Sequence, residues 1–175
     1  MGHRLASGTV HGRAALLSLV ASVLAVAGCR GDLPRGTPVL HPIDEPHAVA
    51  IMASVFREVG LAPVRNRIIK FGAHDAELRL DVAAKEKRFG IAYVTWQDAD
   101  KLGDALPRRR DADAVQVVRG NGDDDDVHAV LLFAADYMQD DLSGEEHTAM
   151  DVAAENKLAQ VTREVLKRAQ REGWP

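Results

Sequence analysis

An α+β domain, with a mainly antiparallel sheet of about five strands and two main helices packed on one of its faces, is the fold class this sequence predicts. Three observations predict it. Apolar residues recur at helical spacing over residues 46–59 and again in the C-terminal stretch, while between them the apolar period falls to two. The links joining the first two-period segments are short, and a parallel crossover needs about a dozen residues. The chain has 175 residues, the length of one domain plus a short additional segment, since domains usually run to about 100–200 residues.

The first helix, residues 46–59, opens on Asp44-Glu45-Pro46, with acids at the positive end of the dipole and a proline where a missing N–H costs nothing. Val49, Met52, Val55, Phe56 and Val59 make its apolar face; Gly60 fits the C′ position and Pro63 prevents continuation. Residues 64–71 then read as a strand. Residues 77–82 read as a second, with Leu78, Leu80 and Val82 on the buried face and Glu77, Arg79 and Asp81 on the other. Gly72 to Asp75 supply the turn between them. Residues 89–96 make a third strand with Phe89, Ile91 and Tyr93 on one face, reached through the solvated Lys85-Glu86-Lys87-Arg88.

Thr95 and Asp98 have the spacing to cap a short helix over residues 96–102, ended by Gly103. After a polar loop at 107–111, residues 115–119 and 127–134 read as two more strands, joined as a hairpin by the glycine- and aspartate-rich 120–126. In the last helix Ser143 and Glu146 form a capping box, and Met150, Ala154, Leu158, Val161, Val165 and Ala169 descend one face. Lys167, Arg168 and Arg171 sit near its negative end, Gly173 stops it, and Trp174 is expected to close against the domain.

The amino terminus is of a different kind. Residues 1–13 carry Arg4 and Arg13 and no acid; residues 14–27 hold no charge and no proline; small residues then surround the single cysteine of the chain. This is the three-part pattern of a secretory signal peptide. Its apolar run is shorter than the roughly 20 residues a membrane-crossing helix requires, and the two arginines are not adjacent, so the twin-arginine route finds no support.

Val26-Ala27-Gly28-Cys29 resembles the lipobox of bacterial lipoproteins, in which an aliphatic residue and two small ones precede an invariant cysteine. The resemblance covers the first 29 residues alone. It implies that the Cys29 thiol carries lipid, that Val26, Ala27 and Gly28 are the recognition residues of a membrane-embedded peptidase, and that residues 1–28 are removed. Residues 29–42, with Gly31, Pro34, Gly36, Pro38 and Pro42, are then an acylated tether, and residues 43–175 the domain. Two or three acyl chains, at about 0.8 kcal/mol per buried methylene, hold such a domain on a membrane. Arg30 in place of an aspartate implies, by similarity to enterobacterial sorting, an outer membrane facing the periplasm rather than a plasma membrane if the source is Gram-negative. As the sole cysteine, Cys29 permits no intramolecular disulfide.

Composition narrows the chemistry. There are 22 basic and 26 acidic residues; removing residues 1–28 takes away only Arg4 and Arg13. The remaining surface is acidic, and aromatics are 5% of the chain, so nucleic acid is excluded as a partner. Thiol chemistry is excluded with Cys29 acylated. Ser54 and Ser143 lie in no G-x-S-x-G elbow, and no glycine-rich phosphate loop is present. Asp123 to Asp126 lack EF-hand spacing and read as a self-repelling solvated loop. His41 and His47 around Asp44 and Glu45, and Glu145-Glu146-His147, read as exposed polar groups rather than metal ligands. Asp75, Glu77 and Asp81 near Lys85 and Lys87 lack the E-x-K spacing of metal-dependent nucleases. No catalytic residue, metal site or cofactor is therefore assigned. Arg108, Arg109 and Arg110 are the candidate contact for an anion or partner, against a solvated loop neutralised by Asp111 and Asp113. The expectation is a membrane-anchored envelope lipoprotein that binds a protein, glycan or lipid without catalysis; the alternative is a small envelope hydrolase using carboxylates or a bound metal.

Overall fold

The computed structural model describes residues 39–109, 115–140 and 145–174. Val26, Ala27, Gly28 and Cys29, the Arg110, Asp111 and Asp113 part of the polar loop, and the Ser143 cap lie outside the described residues. Among the described residues, no helix is long and apolar enough to cross a membrane.

The elements follow in the order β1 (Leu40–Pro42), α1 (Glu45–Glu58), β2 (Pro63–Val64), β3 (Arg67–Phe71), β4 (Ala76–Leu80), β5 (Val82–Ala84), β6 (Phe89–Val94), α2 (Trp96–Leu102), β7 (Gln116–Arg119), β8 (His128–Phe133), β9 (Met138–Asp140) and α3 (Glu145–Arg171). The fold is α+β. Its main sheet has five strands in the order β2-β5-β6-β8-β7, and β1 pairs with β9 and β3 with β4 in two small ribbons. Leu40–Pro42, at the end of the stretch read as tether, is thus a strand with partners at Met138–Asp140.

Two expectations are corrected. The sheet is mixed, because β6 and β8 run parallel, with Phe89 opposite His128 and Val94 opposite Phe133. No direct crossover is involved. After β6 the chain passes through α2 and the 103–115 connection, comes down as the edge strand β7, and returns as β8 in the gap between β7 and β6. Neighbours along the chain are here not neighbours in the sheet. Among the described residues there are also three helices rather than two. α1 and α3 do share one face, but α2 packs Ala99 and Leu102 into the core on the other.

The strands read over 64–71 and 77–82 are each interrupted. Pro63 pairs with Ala84 and Arg67 with Leu80, so β2-β3 and β4-β5 form one long hairpin in constant register. It bends at Asn66, whose φ is +58°, and at Asp81. The base of the hairpin belongs to the main sheet, and its tip folds back over the sheet's face. Side-chain alternation slips at the bend: Leu78 and Leu80 enter the core beneath the folded tip, whereas Val82 enters the core beneath the helices.

The sheet is therefore covered on both sides. Phe89, Ile91, Tyr93, Val130 and Leu132 face α1 and α3, while Ala92, Val94, Ala129 and Leu131 face the hairpin tip and α2. Small residues dominate the hairpin side for a steric reason. A Cβ on Gly90 would stand 3.0 Å from the Ala83 Cβ, the Leu80 Cδ1 and the Val82 carbonyl oxygen.

α1 and α3 end alike. The Gly60 amide donates to the Arg57 carbonyl at 3.0 Å and the Leu61 amide to the Phe56 carbonyl at 2.9 Å; Gly173 donates to Gln170 at 3.3 Å and Trp174 to Ala169 at 3.0 Å. Both are Schellman closures, with Gly60 and Gly173 in the left-handed region at φ +80° and +63°. Each turns the next apolar side chain, Leu61 or Trp174, back over the end of its helix. Trp174 is buried, stacks on His128 at 4.7 Å between ring centroids and meets Phe89 edge-on at 6.1 Å.

Candidate functional site

The hairpin bend opens a cleft of about 180 Å³ between β4, β6 and α2, lined among others by Ile68, Glu77, Arg79, Asp81, Asp98 and Lys101. β6 continues past Val82, the first residue of β5, because β4 has turned out of the sheet plane, and the Tyr93 amide would there lose its partner. The Asp81 carboxylate replaces it. Its Oδ2 accepts from the Tyr93 amide at 2.7 Å and its Oδ1 accepts from Arg79 Nε at 3.0 Å. Arg79 also pairs with Glu45 at the start of α1, so one guanidinium ties the bend to the first helix.

Asp81 is 3% exposed. Burial pushes its carboxyl up to about 6, against smaller downward effects from the Tyr93 amide and the Arg79 charge. Across the cleft, Asp98 is held by the start of α2. Its Oδ2 accepts from the Thr95 amide at 3.0 Å and the Thr95 hydroxyl at 2.6 Å, while Thr95 Oγ1 accepts from the Asp98 amide at 3.2 Å. This is the capping box that the sequence predicts. Chemically the cleft offers a carboxyl that exchanges its proton near neutrality beside a second carboxylate and the Lys101 ammonium, a combination suited to acid–base work. Both Asp81 oxygens are nevertheless engaged in holding the bend.

The arginine candidates separate. Arg109 pairs with Asp136 and lies over the Phe133 ring, 5.3 Å from its centroid. Arg108 is exposed, and its carbonyl accepts from Gln116 Nε2 at 3.4 Å. The aspartate loop is structured, and two of its four carboxylates, those of Asp124 and Asp126, are paired with arginines. Residues Gly122–Asp124 form a 3-10 turn; Arg88 Nε donates to Asp126 at 2.6 Å and its terminal nitrogen to the Asp123 carbonyl at 2.7 Å; Arg67 lies 3.6 Å from Asp124. The hydrogen bond to Arg88 holds the Asp126 carboxyl below the usual range.

Among the described residues, His41, His47, His74 and His128 do not converge. His41 is exposed on β1, His74 is exposed in the hairpin turn, and His47 bridges α1 to α3 through Glu155 at 2.6 Å. His128 lies under Trp174, and burial, followed by the nearby Arg119, lowers its basicity. Among the described residues no group of three His, Cys, Asp or Glu side chains could hold a metal ion. Ser54 is on the exposed side of α1, and Asp75 Oδ1 accepts from Asn121 Nδ2 at 3.1 Å in bracing the hairpin tip.

The residue that sequence reasoning misplaces is Asp81. Alternation puts it on the solvent side with Glu77 and Arg79, but it is the one acid in Leu80-Asp81-Val82-Ala83-Ala84, whose other members are all buried. An aspartate inside such a run is the available signal, since a buried carboxylate requires partners. No family model matches the chain, and comparison with curated proteins and with solved structures finds no match to it.

Proposed function

We propose that this chain is a lipid-anchored protein of the bacterial cell envelope, held through Cys29, whose domain works by binding rather than by catalysis. The observation that carries the anchor is the tetrapeptide Val26-Ala27-Gly28-Cys29 at the end of an uncharged apolar run. Binding is favoured over catalysis by the Asp81 cleft. The two carboxylates that face each other there are both spent on the fold, Asp81 on the Tyr93 amide and Asp98 on the α2 cap. The exposed Arg108 and the β7 edge of the sheet are surfaces for an envelope protein, glycan or lipid. Growth of expressing bacteria with a tagged fatty acid tests the anchor: wild type takes up the label and Cys29→Ala does not. A wild type without label contradicts the reading.

A small envelope hydrolase is the second reading, and the Asp81 carboxyl, poised near 6 beside Asp98 and Lys101, favours it. The two readings separate on Asp81→Asn. A hydrolase loses its turnover of envelope substrates in that variant, whereas a binding domain keeps its crosslinks to envelope partners.

A further inference from the structure

We propose that the cavity between the C-terminal ends of α1 and α3 binds a single-chain anionic amphiphile, with the alkyl chain in the cavity and the anion at its lysine-bearing mouth. This deepens the binding reading above by naming a ligand class. The cavity measures about 410 Å³, within the usual range for small-molecule sites of about 300–1,000 Å³. Its walls come from four segments: Val59 and Leu61 after α1, Phe89 at the start of β6, Leu166 in α3, and Trp174 after it. The two Schellman closures create it, since they fold Leu61 and Trp174 back toward the sheet from either side. Val59 is left 43% exposed at the opening, although it lies on the apolar face of α1.

The polar side chains that line this cavity are Lys87, Lys167 and Gln170, and none of its lining residues is acidic. That is unusual in a chain with more acids than bases. The Asp81 cleft, the groove at Tyr137 and the groove at Asn121 each hold at least two carboxylates. No ion pair joins either lysine to an acid among the described residues. The one carboxylate bonded to a wall residue, that of Glu172, which accepts from Trp174 Nε1 at 3.0 Å, is paired with Arg168 at 2.7 Å; two helix C-termini oppose an anion with about half a negative charge each, and the two full positive charges of the lysines outweigh them. A neutral apolar ligand would leave those charges unused, and a cation would meet them.

The full chain carrying Cys29→Ala and Trp96→Phe provides the test, because it has no acyl group of its own and Trp174 is then its only indole. Trp96, which is 73% exposed, contributes nothing to the cavity. Trp174 emission is followed during titration with dodecanoate, dodecyl phosphate and dodecanol, each below its aggregation concentration. Saturable binding of dodecanoate or dodecyl phosphate is expected, weakened at least about tenfold by combined Lys87→Ala and Lys167→Ala and weaker by a similar factor for dodecanol. The tighter of the two anions distinguishes a carboxylate from a phosphate source. Absence of saturation, equal affinity for dodecanol, or insensitivity to the lysine substitutions overturns the proposal. Acyl labelling of Cys29 is measured separately, so failure here leaves the anchor standing, and failure of the anchor leaves the cavity result standing.

Discussion

The Tyr93 amide of β6 donates a 2.7 Å hydrogen bond to the carboxylate of Asp81, a side chain standing where a straight strand would have offered a main-chain carbonyl. The long hairpin can leave the sheet at this point without abandoning a buried N–H. The same exchange places a carboxyl in a site where its charge is poorly solvated, and this gives the fold a pH dependence of definite sign.

With the Asp81 carboxyl near 6 in the folded protein and near 3.8 when unfolded, the folded state holds the extra proton between those values. Stability contributed by this group is therefore greatest at low pH and is lost as pH rises toward 6. Its size is about 2–3 kcal/mol, from roughly two pKa units at 1.36 kcal/mol each. Asp81→Asn keeps an acceptor for the Tyr93 amide and cannot ionise. Urea denaturation at several pH values should show the variant matching wild type near pH 4 and exceeding it at pH 8. Asp81→Ala leaves the amide unpaired and should be the less stable of the two variants at every pH, by about 1–3 kcal/mol.

Gly120 and Gly60 separate two reasons for a glycine. A Cβ on Gly120 would lie 2.2 Å from the Asp124 main-chain oxygen, within the turn that Arg88 and Arg67 brace, and no rotamer change relieves a clash with backbone. Gly120→Ala should cost about 2–4 kcal/mol. Gly60 has φ +80° with nothing within 4 Å of the added carbon, so Gly60→Ala meets backbone strain alone and should cost about 1 kcal/mol. Chemical denaturation of the two variants side by side checks the order.

Trp174 covers His128 and Phe89. Its removal by Trp174→Ala should destabilise the domain by about 3–5 kcal/mol. It should also raise the His128 titration toward the ordinary 6.5, because burial is the main cause lowering it. A group with a depressed folded value favours the folded state above its unfolded pKa and loses that contribution as pH falls from 6.5 through the lower folded value, opposite in sign to Asp81. Proton-resolved titration of His128 in both proteins measures the shift.

Local signals in this chain are strong where one residue type has one use. Asp44 before α1, the Thr95 and Asp98 box, the Gly60 and Gly173 stops and the Phe89, Ile91, Tyr93 face all stand in the structure as the sequence indicates. The hairpin bend was not legible, because Leu78, Leu80 and Val82 alternate as a straight strand would, and the slip at Asp81 depends on what lies above and below it. The parallel β6–β8 pair escaped for a related reason: strand order depends on where the 103–115 connection sets β7 down, and its residues specify no destination. Asp81 shows both limits together, since only the bend makes its burial intelligible. Arg109 was legible as a cation, while its commitment to Asp136 and Phe133 came from the turn after β8.

Whether Cys29 anchors this domain is decided most directly by mass spectrometry of the full chain, expressed with residues 1–28 in place in a bacterial host and recovered from the membrane fraction. The account predicts an amino-terminal peptide beginning at Cys29 with a diacylglyceryl group on Sγ. A chain beginning elsewhere, with a free Cys29 thiol, would contradict it.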